Sequence, residues 1–273
     1  MSVPYKIMNY KYKYHALRRD LSNFSLLARR DFDAMLISMH QSGTHWLQYM
    51  LTMTLVEKLG LEQPEYIQNG PFFGNPSSYK NNHDVPRIAG SHSIPHILVG
   101  SKMLNKFVRL PRYLILVRDM RASLVSNFEK WKDHPDYTDF STFLLGDTKG
   151  KKFNSDFWWC MRFYNAWGRV LANIPKNTVS VRYEDLVADT YNELNKISVF
   201  LGLELNEEQL RYGIEEASKS KMQEKQDPTA RTVVRDENRD PIDWFSETDK
   251  HFFIDACKDH LKYDFGYNFY DMR

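Results

Sequence analysis

Four short segments hold residue types that handle anions and protons. His40-Gln41-Ser42-Gly43-Thr44-His45-Trp46 follows the apolar run Ala34 to Met39 and precedes apolar residues at helical spacing through Leu55. A strand, a glycine-containing turn and a helix make a phosphate cradle. Gly43 permits close backbone approach, Ser42 and Thr44 offer hydroxyls, and the helix start points N–H groups at the anion. The same residues also suit an ordinary helix start capped by Ser42 or Thr44, and the Gly-Lys pair of a Walker A loop is missing. Leu116-Val117-Arg118-Asp119 ends a second strand in a guanidinium suited to bidentate phosphate binding. Ser126 lies eight residues further on, about two helical turns, and can join Arg118 on one phosphate. A surface network of Arg118 with Asp119 is the competing reading. Arg182-Tyr183-Glu184-Asp185-Leu186 ends a third strand in an aromatic ring and two acids, which strand termination and helix capping would also explain. Gly90-Ser91-His92 places an imidazole just after a fourth strand, where its near-neutral titration fits a general base or a plain structural histidine. Pro95 separates His92 from His96, so the two are not a helical metal pair, and no metal-spaced cluster occurs elsewhere.

The elements that must position these residues alternate. Strands are expected at 34–39, 87–91, 112–117 and 178–183. Helices are expected from His45, and then over 120–131, 155–173, 190–201, 206–219 and 246–262. Residues 61–86, rich in Pro, Gly, Asn and Ser, read as a long loop, and 221–243 as a polar, basic one. Residues 133–153 read as irregular. Alternating strands and helices predict one α/β domain over 1–273, with a mostly parallel central sheet flanked by helices on both faces. Ligands then bind at the carboxyl ends of the strands, where all four segments fall. The two long loops are expected to serve substrate and cofactor.

Composition narrows the function further. In 273 residues, 42% are hydrophobic and 14% aromatic, enough for a real core. A net charge of +2 does not fit a nucleic-acid binder. Cys160 and Cys257 have no CxxC spacing, which fits free thiols in a reducing compartment, with a bridge between them left open. Met1 to Asp20 is polar and rich in Tyr and Lys, and no apolar run approaches the ~18–20 residues of a membrane span. A cytoplasmic protein with no membrane partner is the expectation.

Taken together, the segments resemble the family of sulfotransferases that use 3′-phosphoadenosine-5′-phosphosulfate (PAPS), in order along nearly the whole chain. His40 to Leu47 is similar to that family's 5′-phosphosulfate loop, Pro-Lys-Ser-Gly-Thr-Thr-Trp-Leu, and Leu116 to Ser126 to its 3′-phosphate strand and helix. Arg182 to Leu186 resembles its Tyr-Glu-Asp-Leu segment, Phe200-Leu-Gly its Phe-Leu-Gly, and Ser91-His-Ser-Ile-Pro95 the segment with its catalytic histidine. The resemblance implies a P-loop-like phosphosulfate loop in which Ser42, Gly43 and Thr44 cradle the 5′-phosphosulfate. It implies further that Trp46 stacks on adenine, Tyr183 contacts the base, and Arg118 and Ser126 hold the 3′-phosphate. His92 would take the proton of a small-molecule acceptor, with in-line attack on sulfur, release of adenosine 3′,5′-bisphosphate (PAP) and no metal.

The sequence departs from the pattern in three places. Gln41 and Gly90 stand where the family has lysines, and losing such a charged donor costs on the order of a hundredfold in rate. His45, then His40, are the expected substitute cations. In the C-terminal motif, Val234 to Trp244 lacks Lys-Gly, so Arg235, then Arg239, are the candidates for the 3′-phosphate, with a solvated polar loop as the alternative. A binder of PAP or PAPS without turnover, and a kinase-like phosphotransferase, are the competing functions. A homodimer is left open.

Overall fold

The computed structural model describes residues 3–74, 76–77, 84–149, 152–229 and 240–272. Its elements are α1 (Val3–Ser22), β1 (Ala34–Ser38), α2 (Thr44–Leu59), β2 (Ile88–Ser91), α3 (Leu104–Phe107), β3 (Arg112–Val117), α4 (Met120–Trp131), α5 (Phe140–Leu145), α6 (Phe157–Asn173), β4 (Thr178–Arg182), α7 (Tyr183–Ala188), α8 (Thr190–Leu201), α9 (Glu207–Glu216), α10 (Lys219–Glu224) and α11 (Glu247–His260).

The four strands form one parallel sheet in the order β2-β1-β3-β4. Along buried strands, alternate residues face opposite sides. Met35, Ile37, Tyr113, Ile115 and Val117 enter one core with residues of α4, α6 and α11, among them Leu124, Trp158 and Phe253. Ala34, Leu36, Leu114, Leu116 and Val181 enter the other with residues of α2, α8 and α9, among them Leu51, Leu194 and Leu210. The chain leaves β1 toward β2 on one side and crosses back to β3 on the other. The carboxyl ends of β1 and β3 therefore flank a switch point, where an open α/β sheet offers its ligand crevice.

The expected strands and long helices are present. Their starts follow capping chemistry: Asp156, Asp189, Asn206 and Ser246 each accept a backbone N–H at a helix N-terminus, with reciprocal capping boxes at Asn206 and Ser246. Several segments extend or correct the expectations. The polar N-terminus is the helix α1, although no apolar stripe announces it. It is held by single anchors: Tyr12 packs 4.9 Å from the Trp158 ring, and Asp20 pairs with Arg162 at 2.9 Å. Residues 133–153 contain α5, capped by Asp139. The segment 221–243 overlaps α10 and a 3₁₀ turn, Pro241–Trp244, while 61–86 holds another, Ile67–Asn69. Tyr183 opens α7 instead of ending β4. Cys160 and Cys257 are both free thiols, as their spacing suggested, and both are buried.

Candidate active site

The loop after β1 is shaped by two left-handed residues, Gln41 at φ 60° and Gly43 at φ 83°. Gly43 is required twice over. Its conformation disfavours a side chain, and a Cβ there would lie 2.6 Å from Cδ2 of Tyr183. Gly43 also N-caps α2, and no side chain caps that end. The capping role considered for Ser42 or Thr44 is thus not what these residues do. Ser42 is buried and donates its hydroxyl to the Met39 carbonyl at 2.6 Å, while Thr44 is the first helical residue. An α2 start without a side-chain cap keeps its first N–H groups for an anion.

Arg118, at the end of β3, donates from Nη1 to the Gln41 carbonyl at 2.9 Å, and its guanidinium lies 4.8 Å from the Tyr183 ring centroid. The positive φ of Gln41 belongs to the turn that carries this carbonyl. Trp46 meets Tyr183 edge-on at 5.9 Å and donates its indole N–H to the Ala217 carbonyl at 3.0 Å. Segments far apart in sequence (41–46, 118 and 183) thus converge on one spot at the β1/β3 crevice. Ser126 is on α4 and half-buried. Arg235 and Arg239 lie outside the described residues.

The network considered for Arg118 and Asp119 takes another form. Asp119 caps α4 and pairs with Arg121 at 2.6 Å, so it does not neutralise Arg118. Its N–H donates to Glu184 Oε1 at 3.1 Å, and the other Glu184 oxygen accepts from the Tyr267 hydroxyl. Tyr164 donates to the Arg118 carbonyl at 2.6 Å. Sequence reasoning missed Tyr164, Glu184 and Tyr267 as the frame of the β3 end. Glu184 was visible as an acid at a strand end. Nothing in the spacing pointed to Tyr267, in the tail beyond α11.

His92 follows β2. Its Nδ1 lies 2.7 Å from the Ser38 carbonyl, which can only accept, so Nδ1 carries the proton. In the neutral ring, Nε2 is then the acceptor. The His40 ring stacks on His92 with centroids 4.0 Å apart and planes 22° from parallel, and Trp159 lies 4.9 Å from His40 on a tilt. Desolvation lowers the His92 pKa, the Ser38 bond opposes this, and the charge of Lys130 lowers it further. His40 is pushed down to about 3 by burial, then by His92 and Lys130. His45 opens to solvent along a concave wall, where partial desolvation and Lys130 also lower its pKa. The charge expected of His45 and His40 as substitutes for lysine is therefore opposed by their surroundings. Near pH 7 His40 is neutral, and each can offer a hydrogen bond but not a fixed charge.

A cavity of about 700 Å³ opens beside His92, between Thr44, His45 and Gln48 of α2, residues 90–93, Phe73 and the loop at 25–29. Gly90 makes room in it: a Cβ there would lie 2.5 Å from Nε2 of Gln48. Among the described residues no cluster of His, Cys, Asp and Glu could hold a metal, and no helix is long and apolar enough to cross a membrane.

Known proteins resemble this chain in sequence and in fold. Sulfotransferase 2A1 of Homo sapiens is 25% identical over 207 residues, 71% of this chain and 68% of that protein. The crystal structure of mouse sulfotransferase SULT7A1 complexed with PAP superposes with a TM-score of 0.54 at 20% identity, covering 87% of this chain and 90% of that one. Retinol dehydratase in complex with androsterone and PAP gives a TM-score of 0.57 at 17% identity over 92% of this chain and 88% of its own. At such identities the two structures show the shared fold alone. The sequence profile of the sulfotransferase domain matches residues 31–258, from the strand before the phosphate-type loop to the last helix, so the chain belongs to the sulfotransferase domain family.

Proposed function

We propose that this protein transfers a sulfuryl group from PAPS to a hydroxyl or amine of a small-molecule acceptor, with His92 as general base. The observation that carries the reading is the 2.7 Å contact between Nδ1 of His92 and the Ser38 carbonyl. The ring's Nδ1–H is committed to the Ser38 carbonyl, which leaves the Nε2 lone pair to take the acceptor proton. The depressed pKa keeps that lone pair available at neutral pH.

The residues present suit the co-substrate. The α2 start, without a side-chain cap, and the bare Cα of Gly43 form the cradle for the 5′-phosphosulfate, with Thr44 adding a hydroxyl. Arg118 has one N–H on the Gln41 carbonyl and others to offer a 3′-phosphate together with Ser126. Trp46 and Tyr183 offer aromatic surface to adenine. Arg235 and Arg239 stay candidates for the 3′-phosphate, and loops 61–86 and 221–243 for covering substrate and cofactor. In the reaction the acceptor oxygen or nitrogen attacks sulfur, the bond from sulfur to the phosphate oxygen breaks, and PAP leaves as the acceptor proton passes to Nε2. Orientation and charge stabilisation supply the rate. The PAP-bound and androsterone-bound relatives support a nucleotide co-substrate and a small acceptor.

Calorimetric titration of PAP into wild-type protein and Arg118→Ala tests the reading. Binding by wild type that weakens roughly ten- to hundredfold in the variant is the expected result for loss of a charged donor. No binding by folded wild type would refute it. PAP binding without transfer from PAPS to any acceptor in a broad panel would turn the reading into that of a non-catalytic binder.

A further inference from the structure

Among the described residues that line the cavity beside His92, one carries a permanent charge, and it comes from a loop outside every motif. Arg29 lines the wall, half-buried. Its backbone is fixed by a tight turn in which Ala28 N–H donates to the Phe24 carbonyl at 3.0 Å and Arg29 N–H to the Leu26 carbonyl at 3.2 Å. The loop is tied to the His92 segment. Asn23 Nδ2 donates to the Ile94 carbonyl at 2.6 Å, and the hydroxyls of Ser25 and Ser93 lie 3.4 Å apart. Among the described residues the Arg29 guanidinium has no ion pair and no side-chain hydrogen bond. No Asp or Glu is among the described residues that line the cavity, whereas hydroxyls and the Gln48 amide are. A half-buried arginine on such a wall favours an anion over an apolar or cationic group.

We propose that Arg29 forms an anion subsite in this cavity, so that the acceptor carries a carboxylate, phosphate or sulfate besides the group that receives the sulfuryl. The inference rests on the sulfotransferase reading above. Its position assigns the subsite to the acceptor and not to the nucleotide. Arg118 stands at the end of β3, whereas the Arg29 loop is bound to the extension of β2, with β1 between the two strands. An acceptor with an ammonium group would meet the positive charge of Arg29 there.

The test uses three matched phenols as probes: 4-hydroxyphenylacetate, its neutral amide 4-hydroxyphenylacetamide, and the cation tyramine. Each is titrated into the PAP-saturated protein, as wild type, Arg29→Gln and Arg29→Lys, with folding checked by circular dichroism. The expected result is carboxylate binding roughly tenfold or more tighter than the amide, with tyramine weakest, as a charge-assisted hydrogen bond implies. Arg29→Gln should abolish the difference, Arg29→Lys should keep part of it, and neither should change PAP affinity. Equal affinities in wild type, no binding of the carboxylate, or a preference that survives Arg29→Gln would each overturn the subsite. A loss of PAP affinity in Arg29→Gln would overturn it too, because the guanidinium would then serve the nucleotide. If wild type fails to bind PAP, the sulfotransferase reading falls, and the same titrations on the unloaded protein still decide whether Arg29 holds an anion.

Discussion

At the β3 end of the site the cation is built into the frame, while at the β2 end it arrives from a loop. Arg118 is held by the Gln41 carbonyl and the Tyr183 ring, and the strand end behind it is pinned by Tyr164 and Glu184. Arg29 has no such partners among the described residues and lines the cavity. Between them, His92 is oriented by Ser38, and the stacked His40 is kept neutral. The difference teaches where variation is tolerated. A guanidinium that closes a loop against a strand cannot be exchanged without disturbing the cradle. A guanidinium that only lines a cavity can be changed to alter what the cavity accepts.

The sharpest way to break this comparison is at its centre. His92→Ala should lower turnover by about 10²–10⁴-fold while PAP affinity, read by calorimetry, stays near wild type. Turnover retained in that variant would move the base elsewhere. Next in size is the loss of PAP affinity in Arg118→Ala set out above. The acceptor-side variant Arg29→Gln should not share it, and the two together separate the two ends of the site. Gly43→Ala should destabilise the fold by roughly 1–3 kcal/mol, because the left-handed backbone resists a side chain and Tyr183 occupies the space. Urea unfolding would measure this. A cost below a few tenths of a kcal/mol would mean that Tyr183 yields easily and does not press on the cradle.

The smallest effect concerns acid. His40 titrates near 3 in the fold against about 6.5 when unfolded, so the unfolded chain binds the proton first. Its contribution is complete above about pH 6.5 and drains away as pH falls toward the folded value. His40→Phe keeps an aromatic ring beside His92 and removes that titration. The drop in melting temperature from pH 7 to pH 4.5 should therefore shrink in the variant. An unchanged drop would place the acid sensitivity in other groups, such as His260, which burial pushes down to about 4. The acid limb of kcat/KM should also inflect below the ordinary imidazole value, since His92 is lowered in the same direction.

Much of the frame was legible in the chain. The apolar runs at 34–39 and 112–117 are strands because nothing but burial on both faces accommodates them, and capping residues mark where α6, α8, α9 and α11 begin. Helix α1 was illegible because its sequence carries no apolar stripe. Its order comes from contacts with distant residues, such as Arg162 and Trp158. Tyr183 looked like a strand residue because β-propensity and helix start overlap at a strand end, and the ring contact with Gly43 is invisible in a linear reading.

By itself the sequence determined the order of the strands and of the long helices that follow β1, the turn at Gly43 and the anion-type residues at three strand ends. These depend on spacing, side-chain type and backbone freedom, which are local. Only the tertiary structure decided that Ser42 turns inward, that Gln41 lends its carbonyl to Arg118, and that His40 is packed neutral against His92. It alone brought Arg29 into the cavity. Desolvation and the direction of a hydrogen bond depend on what arrives from elsewhere in the chain, and that is settled when the β1 and β2 ends, the loop at 25–29 and α4 come together.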